Sequence, residues 1–218
     1  MPDDSHWLPD ASSADWVVLD PARPLMTTVS TMVPPTFASF ARVLHPLWLQ
    51  GVEYSWQQLA DLSDQPLHAR ARAEELLAAV AGRPEGNWVY SGQVSPPPER
   101  MWRLLTDVLL QHTTSPSLIL GYSDIFGIPH PPLAGHIDLY GGNRGFFLAQ
   151  MATDELGEPA VRNHGFLPQL TWPTDAEWFV HSEIEFFTTY VGGSVEAIEG
   201  VLRCPGLEAF PVQPGDPV

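Results

Sequence analysis

The most suggestive spacing of chemically capable residues in this chain is His136-x-Asp138. On a strand, side chains two positions apart share a face, so an imidazole and a carboxylate would stand together there. A distant His181 would complete the two-histidine, one-carboxylate set that holds a non-haem iron. The basic residue that usually follows the second histidine is missing: Val191 stands near the expected place, and nothing basic lies between His181 and Arg203. The plainer reading is the polar face of a half-exposed strand.

Other constellations fail on similar grounds. Gly121-Tyr122-Ser123-Asp124-Ile125-Phe126-Gly127 comes near a nucleophile elbow. An elbow needs a helix directly after its serine, and the prolines that follow Gly127 forbid one. His130 and His136 flank a proline-rich loop without the second ligand pair that a structural zinc requires. Glu183 and Glu185 would point the same way from a strand, as an acid and base could, but two acids on a solvent face are commoner. The run from Gly141 to Gly145 offers Arg144 and glycine amides to an anion. No helix follows it, as a dinucleotide or P-loop site would need, so it reads as a hairpin turn. Cys204, the single cysteine, follows an expected helix and precedes Pro205-Gly206, which suits a packed or capping residue. It cannot form an internal disulfide or a Cys-x-x-Cys site, and this fits a reducing compartment.

Composition narrows the classes further. The chain has 218 residues, 44% of them apolar, with eight Trp and ten Phe, enough to bury a core. Its net charge of −16 repels a phosphate backbone and an anionic membrane, so neither nucleic acid nor membrane is an expected partner. A basic protein partner would be attracted. All ten basic residues are arginines, which rules out chemistry through a lysine amine. The start, Met1-Pro2-Asp3-Asp4-Ser5, lacks a cationic leader, and no apolar run approaches the ~18 residues of a span, so a cytoplasmic protein is expected. No cofactor is implied.

These residues depend on the elements that position them. Residues 1–15 read as a loose arm, followed by one α+β domain over 16–218. Trp16 to Leu19 and Leu25 to Val33 read as strands. Pro34-Pro35 should open a helix, with Phe37, Phe40, Ala41 and Leu44 on one face and Pro46 as its stop. Ser55 and Gln58 form a capping box for a short helix to about Leu62. Further helices are expected from Leu67 to Ala81, from Pro98 to Gln111, and after Ser194 with Val195, Ile198, Val201 and Leu202 inward. Strands follow at 118–122, in a hairpin of 136–140 with 144–151, at 178–191 as one long strand or two with a bend, and at 207–212. Helices thus crowd the first half and strands the second, which predicts a mainly antiparallel sheet packed against N-terminal helices.

Four stretches carry a likeness: Val33 to Pro46, His112 to Pro116, Trp172 to Glu185 continuing through Thr189 to Ser194, and Leu207 to Val212. In order and spacing they resemble a family of uncharacterised actinobacterial proteins of about this length. That family carries no known activity, so the resemblance implies no catalytic residues. The chain departs from it at Tyr122 to Gly127, where the family has a Trp/Gly-rich loop, and at Glu185 and Phe187, where it has aspartates. The proline-led Pro34 to Phe40 segment also resembles the SUKH superfamily, which would imply an immunity or regulatory role.

The expectation is therefore a non-enzymatic, acidic protein-binding module, with Tyr122, Asp124, Phe126 and Trp172 as its binding residues should they reach the surface. The rival is an enzyme, or a small-molecule or metal-binding protein, with a pocket in the C-terminal half.

Overall fold

A computed structural model describes residues 6–20, 26–81, 98–127, 134–139, 144–156, 166–183 and 186–218. The strands are β1 (Ser39–Leu44), β2 (Leu47–Leu49), β3 (Val52–Tyr54), β4 (Ser117–Ser123), β5 (His136–Asp138), β6 (Gly145–Ala152), β7 (Leu170–Pro173), β8 (Trp178–Ser182), β9 (Thr188–Gly193) and β10 (Glu208–Val212). The helices are α1 (Trp56–Ser63), α2 (Ala73–Ala81), α3 (Glu99–Leu109) and α4 (Val195–Arg203). Eight strands form one antiparallel sheet in the order β10-β1-β9-β8-β7-β4-β6-β5, and β2 with β3 makes a separate hairpin. The α+β class with a large antiparallel sheet is as expected.

Both faces of the sheet are covered. On one, Ala41, Val43, Leu118, Leu120, Val180 and Val191 meet α3 through Met101, Trp102 and Leu105, and α4 through Ile198 and Val201. On the other, Phe40, Ile119, Phe146, Leu148 and Phe179 meet the N-terminal segment through Ala14, Val17, Val29, Met32 and Val33. A third cluster joins Leu44 and the hairpin's Leu47 to α1 and α2 through Trp56, Leu59, Ala60 and Leu76. Antiparallel strands are more often solvated on one side. Here β4, β7, β8 and β9 are buried along their whole length.

Two sequence expectations hold in atomic detail. Ser55 caps α1, its Oγ accepting from the Gln58 amide at 3.1 Å while Gln58 Oε1 accepts from the Ser55 amide at 2.8 Å. The β5–β6 hairpin pairs His136 with Phe147 and Asp138 with Gly145.

Others need correction. The segment read as a helix after Pro34 is β1, lodged between β9 and β10. Its Phe40, Arg42 and Leu44 go to one covered face and Ala41 and Val43 to the other, so apolar residues on both faces imitate helical spacing. The SUKH resemblance leaned on that helix. Trp16 to Leu19 forms no strand, and Val29–Thr31 is a 3-10 turn. Residues 6–15 are packed rather than loose: Trp7 bridges Ala149, the Leu8 amide donates to Leu148, and Ala14 is buried. Val195 faces outward from α4, at 48% exposure.

Candidate functional site

The predicted binding residues cluster where β4 ends, but burial separates them. Tyr122 and Trp172 are both core residues, at 0% and 1% exposure. The Tyr122 ring tilts against Trp7 at 5.7 Å, and burial pushes its phenol pKa upward. Trp172 stacks on Phe179 at 5.5 Å and takes the edge of Trp16 at 6.3 Å. Neither can meet a partner in this state, which corrects the surface-anchor reading. The side chain of Phe126 lies outside the described residues. Among the described side chains of this set Asp124 alone reaches solvent, with its Oδ2 3.1 Å from His136 Nε2. The His136 ring rests on Phe147 at 4.9 Å. Gly145 lies directly beneath this pair, where any Cβ would collide with both side chains.

On the opposite face of the same sheet end lies a buried polar cluster. Arg144, just before β6, and Glu183, just after β8, pair at 3.1 Å (Nη1 to Oε1), at 7% and 2% exposure. His181 is wholly buried beside them, with Nε2 3.9 Å from Glu183 Oε2 and the ring edge-on to Phe146. Its Nδ1 lies 2.8 Å from the Met32 carbonyl. A carbonyl only accepts, so that nitrogen carries the proton. Burial lowers the His181 pKa to about 4, the Met32 hydrogen bond opposes the shift, and the nearby Arg144 charge adds to it. The ring is neutral near pH 7.

The sheet register also tests the proposed constellations. His136 pairs with Phe147, which pairs with Tyr122 on the α3–α4 face. His181 touches Phe146 on the other face, so the two histidines do not converge. Among the described residues, no three His, Cys, Asp or Glu side chains form a group that could hold a metal. Ser123 pairs with Phe146 and faces away from His136, so serine, histidine and aspartate do not align. Glu185, His130 and the glycines at 141 and 142 lie outside the described residues. Cys204 ends α4, its amide donating to the Val201 carbonyl.

A surface groove of about 480 Å³ lies elsewhere, lined by Pro46, Glu53, Gln58, Arg100, Leu207 and Glu208 among others. Glu208 also closes the start of α1, accepting from the Trp56 and Gln57 amides at 2.8 and 2.9 Å. Across the β2–β3 hairpin from Glu53 stands Trp48, 51% exposed. Sequence reading places Trp48 in the core by default, since a tryptophan beside predicted elements usually packs. The signal that finds it is the one-residue step from Leu47, which is buried on the hairpin's inner face.

Compared with known proteins, the chain matches no family model, no curated protein and no solved structure.

Proposed function

We propose that this protein is a non-enzymatic, acidic protein-binding module, immunity-like or regulatory in kind, whose partner is a basic protein. The observation that carries this reading is Trp48, half exposed opposite Glu53 at the edge of the groove, on a chain of net charge −16. Trp is the residue type most enriched at binding hot spots, and a neighbouring acid favours a cationic partner. Leu62, at 61% exposure, adds apolar surface on α1. Asp61, one turn from Gln57 on α1, adds a further exposed carboxylate. On this reading the contact surface lies in the first half of the chain rather than at the buried Tyr122 and Trp172.

The test is capture from the native host with a photo-crosslinker beside position 48, with the captured protein identified by mass. A single basic protein is expected in stoichiometric yield. It should be lost in Trp48→Ala, in Glu53→Arg, and at about 1 M salt, where charges are screened beyond about 3 Å. Both variants should melt with the parent, because the replaced side chains are exposed. Capture that survives both substitutions would reject this surface.

A further inference from the structure

Two neighbouring tryptophans, Trp48 in β2 and Trp56 at the start of α1, differ in what lies on them. Trp56 is buried and carries the Arg42 guanidinium over its ring, Cζ 5.4 Å from the centroid. Trp48 is half exposed, and among the described residues no cation, aromatic ring or hydrogen-bond partner meets it. Glu53 is exposed too, with no described cation within ion-pair distance. The hairpin holds these two side chains together. Gln50 and Gly51, with φ of 53° and 82°, make a two-residue turn that closes on Leu49 and Val52. The closing pair is the hydrogen-bonded one, so Trp48 and Glu53 form the next, non-hydrogen-bonded pair, in which side chains stand closest. Their Cβ atoms are then about 4.5–5.5 Å apart on one face, an indole ring beside a carboxylate.

Glu53 also lines the groove of about 480 Å³, and it is the one place there where a cation finds an uncommitted acid. Glu208, the other carboxylate in the lining, has both oxygens on the first amides of α1. Arg100 in the wall repels a second positive charge. Leu44, Met101 and Leu207 give the groove an apolar part.

We infer that the hairpin grips one arginine side chain of the basic partner, its guanidinium lying on the Trp48 ring and paired with the Glu53 carboxylate, while the apolar residue beside that arginine enters the groove. This rests on the reading of the hairpin as the contact surface and adds what the partner must present there. Arginine fits the pair better than lysine. A planar guanidinium stacks on an aromatic face and keeps its fork of N–H donors for a carboxylate, whereas an ammonium is a strongly hydrated point charge. Trp and Arg are also both enriched at binding hot spots, which tend to pair across an interface.

The experiment follows the Trp48 indole N–H resonance of the full chain by NMR, assigned by its absence in Trp48→Phe. The titrants, at constant ionic strength, are short capped peptides that differ at one position, holding arginine, lysine or the uncharged isostere citrulline, each followed by leucine. The arginine peptide is expected to shift the resonance saturably, with an affinity about threefold above lysine and about tenfold above citrulline. Glu53→Gln should weaken the arginine peptide about threefold, and Arg100→Gln should tighten it about twofold by removing a like charge from the groove. Lysine or citrulline binding as well as arginine, an affinity unmoved by Glu53→Gln, or no saturation would overturn the arginine. The reading of the hairpin as the contact surface fails on a different result, capture that survives Trp48→Ala and Glu53→Arg. A Trp48 resonance that moves on dilution of the protein alone would assign the arginine to a second copy of this chain and overturn a separate partner as its source.

Discussion

Two acid–base pairs stand at the same end of the sheet on opposite faces, Asp124–His136 and Arg144–Glu183, and both span 3.1 Å. Distance does not distinguish them; surroundings do. The side chains of the first pair are 35% and 39% exposed, so water and salt compete with every contact. Exposed pairs of this kind contribute about 0–1 kcal/mol. The second pair is sealed under the N-terminal segment, where a lone charge has no solvent to fall back on. The comparison teaches that chemically similar pairs can be cheap to break on one side of a sheet and costly to break on the other.

The sharpest way to break this contrast is Glu183→Gln. It removes the buried carboxylate that faces Arg144, and a loss of about 3–5 kcal/mol is expected in chemical denaturation. Replacing the pair together, as Arg144→Met with Glu183→Leu, should recover most of that loss, since well-packed apolar groups often replace a buried pair without penalty. A double variant as unstable as the single one would show that the pair contributes through its shape rather than its charges.

Acidification should produce the next largest effect. The His181 pKa is about 4 in the folded chain against 6.5 in the ordinary side chain, so the unfolded chain binds the proton more readily. Stability from this group is complete above pH 6.5, is lost as the pH falls toward 4, and changes no further below that. The full loss is about 3 kcal/mol. His181→Asn retains a donor for the Met32 carbonyl but cannot titrate. Denaturation curves across this range should therefore lose that part of their pH dependence. An identical dependence in the variant would place the proton uptake elsewhere.

The smallest effect is expected from Asp124→Asn. It should cost less than about 1 kcal/mol, and less again at high salt. A cost approaching that of Glu183→Gln would erase the distinction between the two faces.

Much of the fold was legible where the signal is local. Ser55 and Gln58 fix the start of α1 from four consecutive residues, and Ser194 does the same for α4, accepting from the Ala197 amide at 3.1 Å. The β5–β6 hairpin needs only alternation and a turn. By contrast, β1 was misread because its burial is decided by β9 and β10, far along the chain, and an apolar run covered on both faces loses its period of two. The site was less legible for the same reason. Arg144 and Glu183 each look like surface residues in their own neighbourhoods, and only the register of the intervening strands brings them together. Trp172 and Tyr122 drew attention as aromatics near a loop, yet both are consumed by packing.

The placement of β1 also constrains how the chain can be made. Both of its partners, β9 and β10, begin more than 140 residues further on in the numbering (188 and 208 against 44). As a ribosome releases the chain, β1 emerges with its backbone groups unpaired on both sides, and it waits through the release of more than 140 further residues for its neighbours. Its apolar side chains wait with it. Growing chains stopped before β9 would therefore be the forms most prone to cling to one another or to a chaperone, and only the release of β9 and β10 removes that exposure.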